Sequence, residues 1–344
     1  MTMASKCGMV IPPVPSPEPS TRNRFREKIA MTPSLAGIRK NTRRPELSLL
    51  AEAVGEAKQG SPAAQAAVCG AMLWASMASP GSISPIFDGI FRAQLGQASK
   101  SDAPLAPSAA LPDAFWDTFQ ATIEGPEGGY DAGSITQAVA ALAAELHEAF
   151  PSLSEAAAAA HPGADQPQTK AMPPRIALEE LKRCAKGSLA RELHSMWVDN
   201  GFDPEVLDRE ALGLAGLSPA LRYLNTRILQ MHDVWHLVAG YRTTSLHEMA
   251  ISAFQLAQFG HHYSAMFLST VAVISHLRQP AAFPMLMQNF AEGWVHGREA
   301  PSFMAIAWED EWHRDVEEVR ARHGIQPFAG SFPADLLETL ASAS

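Results

Sequence analysis

Cysteine is scarce in this chain, with three residues in 344. Cys7, Cys69 and Cys184 are far apart, and none forms the C-x-x-C spacing of a thiolate zinc site. Three widely separated cysteines exclude a disulfide framework of the kind that stabilises small secreted domains. The simplest expected compartment is therefore a reducing one, and we predict a cytoplasmic protein.

The sequence also lacks a long apolar run. The longest candidate, residues 265–274, is about half of the roughly 20 residues that a membrane-spanning helix needs. A secretory signal is not expected either, because the region that would have to be apolar contains Pro12, Pro13, Pro15, Pro17 and Pro19. Any membrane contact is therefore predicted to be peripheral, on the inner face of the membrane.

Alternation with the period of a β-strand is almost missing. From Pro45 onward, apolar residues instead recur at intervals of three and four, which is typical of helices packed on one face. With 47% hydrophobic residues the chain can bury a substantial core. We predict an all-α fold, a multi-helix bundle whose last amphipathic helix covers residues 301–323.

Charge is divided unevenly along the chain. Residues 1–44 contain nine Lys or Arg against two Asp or Glu, whereas residues 45–344 contain eighteen against thirty-four. The excess of acidic residues over 45–344 argues against nucleic-acid binding, which requires a basic face. The proline-rich basic arm, 1–44, is predicted to be disordered: either a solvated tail or a segment attracted to anionic lipid headgroups.

Breaks in the helical pattern divide the rest of the chain. We predict a helical N-terminal subdomain over 45–150, a low-complexity linker over 151–172, a second helical domain over 173–326 and a C-terminal tail over 327–344. The N-terminal subdomain shows no ligand constellation. It is expected to pack or to dimerise, which is compatible with a homo-oligomer.

One stretch carries a clear chemical pattern. His232 and His236 are one helical turn apart, so they project from the same face, with Asp233 beside them. That helix is predicted to start at Ser218, with Pro219 as its first residue, and to end at Gly240. The next helix is predicted to open with a capping box formed by Ser245 and Glu248. Glu248 would then face the histidines across a helical hairpin.

Two imidazoles and two carboxylates balance the charge of a divalent metal ion, and zinc, iron or manganese would suit this set. The histidines could instead be buried and merely hydrogen-bonded. A zinc protease is disfavoured because it requires Glu between the histidines. A phosphohydrolase built on the His-Asp pair would need further ligands such as His194 and Asp315. The remaining chemistry is a metal that acts as a Lewis acid on an oxygen-bearing organic substrate.

The array His232, Asp233, His236 and Glu248, written H-D-x-x-H-x11-E, resembles the signature of the Coq-four family of coenzyme Q (ubiquinone) biosynthesis proteins. The similarity covers roughly residues 173–326. Its flanking matches are Pro174, Arg175, Ile176, Gly187, Ser188, Leu189, Ala190, Asn200, Gly201, Phe202, Asp203, Pro204, Phe254, Gln258, Gly260, Trp294, Gly297, Arg298, Ala300, Trp308, Glu309, Asp315, Arg320, Gly324 and Ile325.

The chain departs from the family pattern at a few places. Its N-terminal half is longer than expected for the family. His247 stands where a small residue is expected, and His261 and His262 follow Gly260 where the family is apolar or uncharged. These three histidines could supply extra ligands or lie at the surface.

The resemblance implies an α-helical lyase of ubiquinone biosynthesis at a membrane surface. Its activity would be that of a 4-hydroxy-3-methoxy-5-polyprenylbenzoate decarboxylase, the oxidative removal of the ring carboxylate from a polyprenylated 4-hydroxybenzoate. His232, Asp233, His236 and Glu248 would be both metal ligands and catalytic residues. The implied partners are the prenylated precursor, other ubiquinone-biosynthesis enzymes and a membrane surface, with no nucleic acid.

A polyprenyl tail would require an apolar groove between helices. The methionines that could line it, or simply fill the core, are Met231, Met249, Met266, Met285, Met287 and Met304. Two other functions remain open from the sequence. One is a non-catalytic scaffold that binds the prenyl lipid and organises a ubiquinone-synthesis complex, and the other is the metal phosphohydrolase.

Overall fold

The structure is a computed structural model that describes residues 8–9, 33–101, 103–126, 130–161, 175–201 and 214–343. Most of the predicted basic arm and half of the predicted linker lie outside these residues. So do Pro174, Phe202, Asp203 and Pro204 among the flanking matches.

The first half of the described chain is helical. Its helices are α1 (Leu35–Asn41), α2 (Leu47–Lys58), α3 (Pro62–Leu73), α4 (Ile83–Gln94), α5 (Asp113–Glu124), α6 (Ala132–Leu142) and α7 (Phe150–Ala160). A π-turn, Trp74–Ala78, continues α3. Within the described residues, β-structure is limited to an antiparallel pair of two-residue strands, β1 (Gly8–Met9) and β2 (Tyr130–Asp131), and one isolated bridge between Ser188 and Asp315.

The second half continues in the same way. Its helices are α8 (Leu178–Arg183), α9 (Leu189–Asn200), α10 (Pro219–Ala239), α11 (Ser245–Phe259), α12 (His262–Arg278), α13 (Phe283–Glu299), α14 (Val316–His323) and α15 (Leu336–Ser342). The all-α prediction is confirmed. No helix in the described part of the chain is long and apolar enough to cross a bilayer.

The single helix predicted over residues 301–323 is wrong. Two short 3-10 turns, Phe303–Ala305 and Trp308–Glu311, precede α14. The indole N–H of Trp308 donates to the carbonyl of Phe303 at 3.0 Å, which folds this stretch back on itself. Asp315 then caps α14 by accepting a hydrogen bond from the backbone N–H of Glu318 at 2.7 Å, a partner that the first turn of a helix otherwise lacks.

Helices also occur in two segments for which the sequence predicts none. Helix α1 lies in the predicted arm, where the Ser34 hydroxyl caps its first turn and Ile38 is fully buried. Helix α7 lies in the predicted linker, where a run of alanines favours helix.

The observed ends of α10 and α11 agree only in part with the caps predicted from the sequence. Gly240 and Gly260 end these helices in the left-handed conformation, at φ values of 77° and 62°, which glycine adopts without a Cβ clash. The N-cap position of Ser218 is confirmed, although its hydroxyl makes no capping bond. The predicted capping box is wrong, because Thr244 is the N-cap of α11 and makes no side-chain capping bond.

Buried apolar residues form two clusters. The first combines residues of α1–α6 with residues of α11–α13, so the N-terminal helices pack directly on the second half of the chain. The second cluster combines α7–α10, the 3-10 turns and α14. Helix α11 belongs to both, since Met249 lies in the first cluster and Phe254 in the second. It therefore lies between the two cores and contributes side chains to both.

Helices α11 and α13 pack closely because glycine stands at their contact. A Cβ added to Gly293 would lie 2.2 Å from the carbonyl oxygen of Ala250, and one added to Gly297 would lie 2.6 Å from that of Phe254. Neither separation is sterically allowed, so any side chain would push the two backbones apart.

We expect Gly293→Ala to lower the free energy of unfolding by about 2 kcal/mol or more, as overpacking against a backbone does. Gly55→Ala is the matched control. Gly55 lies in α2 with open space around it, so alanine there should be neutral or stabilising by about 0.5–1 kcal/mol. Urea denaturation of both variants measures the difference; equal effects would contradict the close contact.

A buried pair links α3 to α12. The Nδ1 atom of His276, in a residue that is 1% exposed, lies 3.1 Å from Oε1 of Gln65. Burial lowers the pKa of His276 to about 4. The unfolded chain therefore takes up this proton near pH 6.5, while the folded chain does so only near pH 4.

Neutral His276 should therefore contribute its full stabilisation above pH 6.5. The free energy of unfolding should fall as the pH drops from 6.5 towards 4. The contribution of one such histidine is about 1.4 kcal/mol per unit of pKa shift. Denaturation curves across this window should be shallower in their pH dependence for His276→Gln than for the unaltered protein. An identical dependence would show that His276 is not buried neutral.

Candidate metal centre

Helix α10 places two imidazoles side by side. The Nε2 atoms of His232 and His236 are 3.0 Å apart, and the rings meet edge to face. The side chain of His236 is 1% exposed, whereas that of His232 is 29% exposed. The predicted common face of this helix is therefore present, with one imidazole buried and the other open to solvent on one side.

Glu248 completes the cluster from the first turn of α11. Its Oε2 lies 3.4 Å from Nε2 of His232, and its Oε1 lies 3.4 Å from Nε2 of His236. Zinc binds imidazole nitrogen and carboxylate oxygen at about 2.0–2.2 Å in tetrahedral geometry, so two atoms that share one ion are separated by roughly 3.3–3.6 Å. The two separations from Glu248 match this spacing, and the 3.0 Å between the imidazole nitrogens is slightly shorter. The three side chains fit a divalent ion in both chemistry and spacing.

Asp233 lies next to the cluster but already has a partner. Ligand atoms of Asp233, His232 and His236 lie within 4.8 Å of one another. The Asp233 Oδ2 atom accepts a hydrogen bond from the indole N–H of Trp197 on α9, at 2.5 Å. The histidine pair thus belongs to two three-residue sets, one with Asp233 and one with Glu248. Glu248 contacts both Nε2 atoms directly, which makes it the better placed carboxylate.

The electrostatics of the cluster are those of an ion pair. Burial opposes ionisation of Glu248, but the imidazoles of His236 and His232 outweigh it and lower the pKa of its carboxyl group. Burial likewise opposes protonation of His236, yet Glu248, Asp233 and the carbonyl of Tyr241 raise its pKa. A bound cation would replace the shared proton, so metal binding would release protons.

Tyr241 orients the buried imidazole. Nδ1–H of His236 donates to the backbone carbonyl of Tyr241 at 3.2 Å. The phenol of Tyr241 is hydrogen-bonded to Nδ1 of His296 at 2.6 Å, and its ring stacks on Phe328 at 4.6 Å between centroids. No sequence motif predicts a role for this residue. Its only signal is its position directly after the helix-ending Gly240.

Two arginine contacts hold α10 in place. Arg227 forms a bidentate pair with Glu309, with one N–H···O contact at 2.8 Å. Arg320 donates to the carbonyls of Val238 and Leu237 at 2.9 and 2.8 Å, which satisfies backbone oxygens at the end of the helix. Glu309 and Arg320, two of the flanking matches, therefore fix the helix that carries the histidines.

Of the other histidines singled out by the sequence, His247 and His261 are buried and His262 is half-buried. His247 is 9% exposed, and its Nδ1 accepts a hydrogen bond from the backbone N–H of Arg242 at 2.8 Å. His261 is 8% exposed and is bonded to Ser264 and Asn225. Burial lowers the pKa of His261 to about 3 and that of His262 to about 4, so both are neutral.

The six methionines do not form one common lining. Met249, Met266 and Met287 are buried in the first core cluster, with Met285 packed against it, while Met231 and Met304 are buried in the second. In this conformation the five fully buried methionines fill the cores.

Residues 164–329 match the family model described as coenzyme Q (ubiquinone) biosynthesis protein Coq4. This part of the chain is similar to the Coq4 family. The matched segment holds the histidine pair, Glu248, Trp197 and both arginine contacts to α10, so the family resemblance and the geometry meet in one region.

Curated relatives agree with this. The mitochondrial COQ4 homolog of Aedes aegypti is 28% identical over 113 residues, which are 31% of this chain and 39% of that protein. The homolog of Rattus norvegicus is 26% identical over 159 residues, 45% of this chain and 58% of that protein. The matches thus span less than two thirds of these relatives.

A solved structure from Nostoc punctiforme superposes with a TM-score of 0.47 at 22% identity, over 62% of this chain and 98% of that chain. The similarity to the Coq4 family lies in residues 164–329.

We expect the purified protein to hold about one divalent ion per chain, and His236→Gln to lose it, because the buried imidazole is the innermost of the three ligands. His313→Gln, at an exposed histidine, is the matched control and should retain the ion. Elemental analysis of both variants after dialysis measures this. Metal retained by a folded His236→Gln protein would contradict the site.

Proposed function

We propose that this protein is a metal-dependent decarboxylase of ubiquinone biosynthesis, a lyase that removes the ring carboxylate from a polyprenylated 4-hydroxybenzoate intermediate at a membrane surface. The observation that carries the proposal is the convergence of His232, His236 and Glu248 in a Coq4-family segment. His232 and Glu248 are partly exposed, so a substrate can reach the cluster.

The side chains have separate tasks in this scheme. His232, His236 and Glu248, with Asp233 alongside, would hold the ion. When bound, a divalent ion such as zinc, iron or manganese supplies a Lewis acid for the phenolate or carboxylate oxygens of the substrate. The buried His236 and the Trp197-bonded Asp233 fix the positions of the cluster, while the open side of His232 faces the substrate.

Charge balance explains why such a site favours the reaction. As carbon dioxide leaves, the electron pair of the broken carbon–carbon bond remains on the ring carbon, where a proton from solvent takes it up. Positive charge held beside the ring by the cluster would stabilise the negative charge that develops there. In the oxidative form of the reaction, an external oxidant of the pathway accepts two electrons, while water supplies the hydroxyl group that replaces the carboxylate and releases a proton.

The prenyl tail and the partners belong to the same proposal. A tail of many isoprene units would remain in the lipid or in an apolar groove while the ring reaches His232. Other ubiquinone-biosynthesis enzymes would supply and remove the intermediates. The curated relatives have "mitochondrial" in their names, and the compartment of this chain stays a prediction.

In cells whose own decarboxylation step is deleted, Glu248→Gln is expected to fail to restore ubiquinone and to accumulate the carboxylated precursor. The reason is that the variant keeps the size of the side chain but loses the charge that balances the cation. The matched control, His313→Gln, should restore ubiquinone. Mass spectrometry of extracted quinones measures both, and full ubiquinone synthesis with Glu248→Gln would refute the proposal.

A scaffold is the second candidate, and one observation favours it. The cluster ties the end of α10 to the start of α11, and His236 is almost fully buried, so a metal there could be structural. A scaffold would bind prenylated lipid without decarboxylating it, and its metal-site variants would unfold. The phosphohydrolase is not favoured, because the carboxylate of Asp315, one of its candidate ligands, caps α14.

A further inference from the structure

The first turn of α11 carries Glu248 but has no side-chain cap of its own. Its N-cap residue, Thr244, makes no side-chain capping bond. The Thr244 hydroxyl instead donates to the backbone carbonyl of Ala334, at 2.7 Å. The first N–H groups of a helix have no partner within the helix, and a terminal turn without a cap opens readily. The cap for this turn therefore has to come from outside α11.

That cap is Glu338, which lies 93 positions further along the chain. Its Oε1 accepts a hydrogen bond from the backbone N–H of Ser245, the first residue of α11, at 2.8 Å. Ser245 is 8% exposed, and Glu338 is half-buried. A carboxylate here satisfies an N–H group that the helix leaves free and places negative charge at the positive end of the helix.

The segment that leads to Glu338 lies along the whole connection between α10 and α11. At the end of α10, the N–H of Phe328 donates to the carbonyl of Ala239 at 2.7 Å. The Phe328 ring stacks on Tyr241, which orients the buried imidazole. The bonds from residues 334 and 338 to the start of α11 continue in the same direction. Residues 326–338, the C-terminal segment, thus contact both helices that carry candidate ligands.

The C-terminal segment is itself anchored to the rest of the molecule. The backbone N–H of Ser331 donates to the carboxylate of Glu292 on α13, at 2.9 Å. Leu336 and Leu337 of α15 pack against the first core cluster. Glu338 is therefore presented to α11 from a fixed position. It lies beyond residue 329, where the match to the family model ends.

We propose that Glu338 is a positioning residue for Glu248. The N–H of Glu248 donates to the carbonyl of Thr244 at 2.8 Å, so the turn that Glu338 caps is the turn that carries the ligand. When this turn opens, the carboxylate of Glu248 leaves its 3.4 Å contacts with His232 and His236. The inference rests on the metal site under Proposed function, whereas the cap itself requires no metal.

Amide hydrogen exchange of the metal-free full chain measures the cap directly. Loss of a capping side chain destabilises a helix end by a factor of about 2–30. In Glu338→Ala, the amide of Ser245 should therefore exchange about 2–30-fold faster. Glu338→Gln keeps an acceptor oxygen and should exchange at close to the unaltered rate. Glu318→Ala is the matched control, because Glu318 is also the third residue of a short C-terminal helix, α14, and is exposed. It should leave Ser245 unchanged.

A zinc titration of the full chain against a competing chelator connects the cap to metal binding. Zinc needs Glu248 in place, so its apparent affinity falls with the fraction of molecules in which the turn is formed. Glu338→Ala should bind zinc about 2–30-fold more weakly, in proportion to the lost cap. Glu338→Gln should bind it nearly as tightly as the unaltered protein, and Glu318→Ala should be unchanged.

A double variant separates positioning from a general loss of structure. In Glu248→Ala the ligand is already absent, so Glu338→Ala should cause no further loss of zinc affinity, whereas independent effects would add. Thr244→Val removes the hydroxyl bond to Ala334 and keeps the shape of the side chain. It acts on the same contact from the side of α11 and should weaken zinc binding in the same direction. Thermal unfolding of each variant confirms that the protein is folded.

The outcomes are separable. No zinc binding by the unaltered protein would overturn the metal site of the proposed function, and the positioning role with it. Equal zinc binding by the unaltered protein and folded Glu338→Ala, or an additive loss in the double variant, would overturn the role of Glu338 and leave the metal site standing. Faster exchange and weaker binding in Glu338→Ala, both restored in Glu338→Gln, with no further loss in the Glu248→Ala background, would establish it.

Discussion

The contact between two imidazoles of α10 and one carboxylate of α11 is the constraint on which the site depends. Glu248 lies 3.4 Å from each Nε2 of His232 and His236, so the end of one helix and the start of the next are held in a fixed relation. Two of the three side chains remain partly open. Such a cluster has the rigidity that the proposed metal site requires, and its open side would admit a bound molecule.

The rest of the molecule supports α11. The N-terminal helices share a core with α11, α12 and α13, and Gly293 lets α13 approach α11 without a gap. A buried pair, Asp88 and Arg92, joins α4 to the indole N–H of Trp294 on α13. Displacement of α13 would therefore reach Glu248 through helix packing, which gives the long N-terminal half a structural role in holding the site.

Local patterns in the sequence predicted the helical class, the face shared by His232 and His236, and the end of α10 at Gly240. They did not predict the cap of α11, because the carboxylate of Glu248 has stronger partners in the imidazoles than in a backbone N–H. Tyr241 was not predicted for a related reason. Its partners, His236 and His296, lie on two other elements, so no spacing along the chain identifies it.

The location of a bound ion tests the account most directly. Crystals of the protein grown with zinc should show one anomalous scattering peak between the Nε2 atoms of His232 and His236 and the carboxylate of Glu248. Ligand distances should be about 2.0–2.2 Å. A peak elsewhere on the molecule, or zinc-soaked crystals with no peak at the histidine pair, would contradict the metal centre.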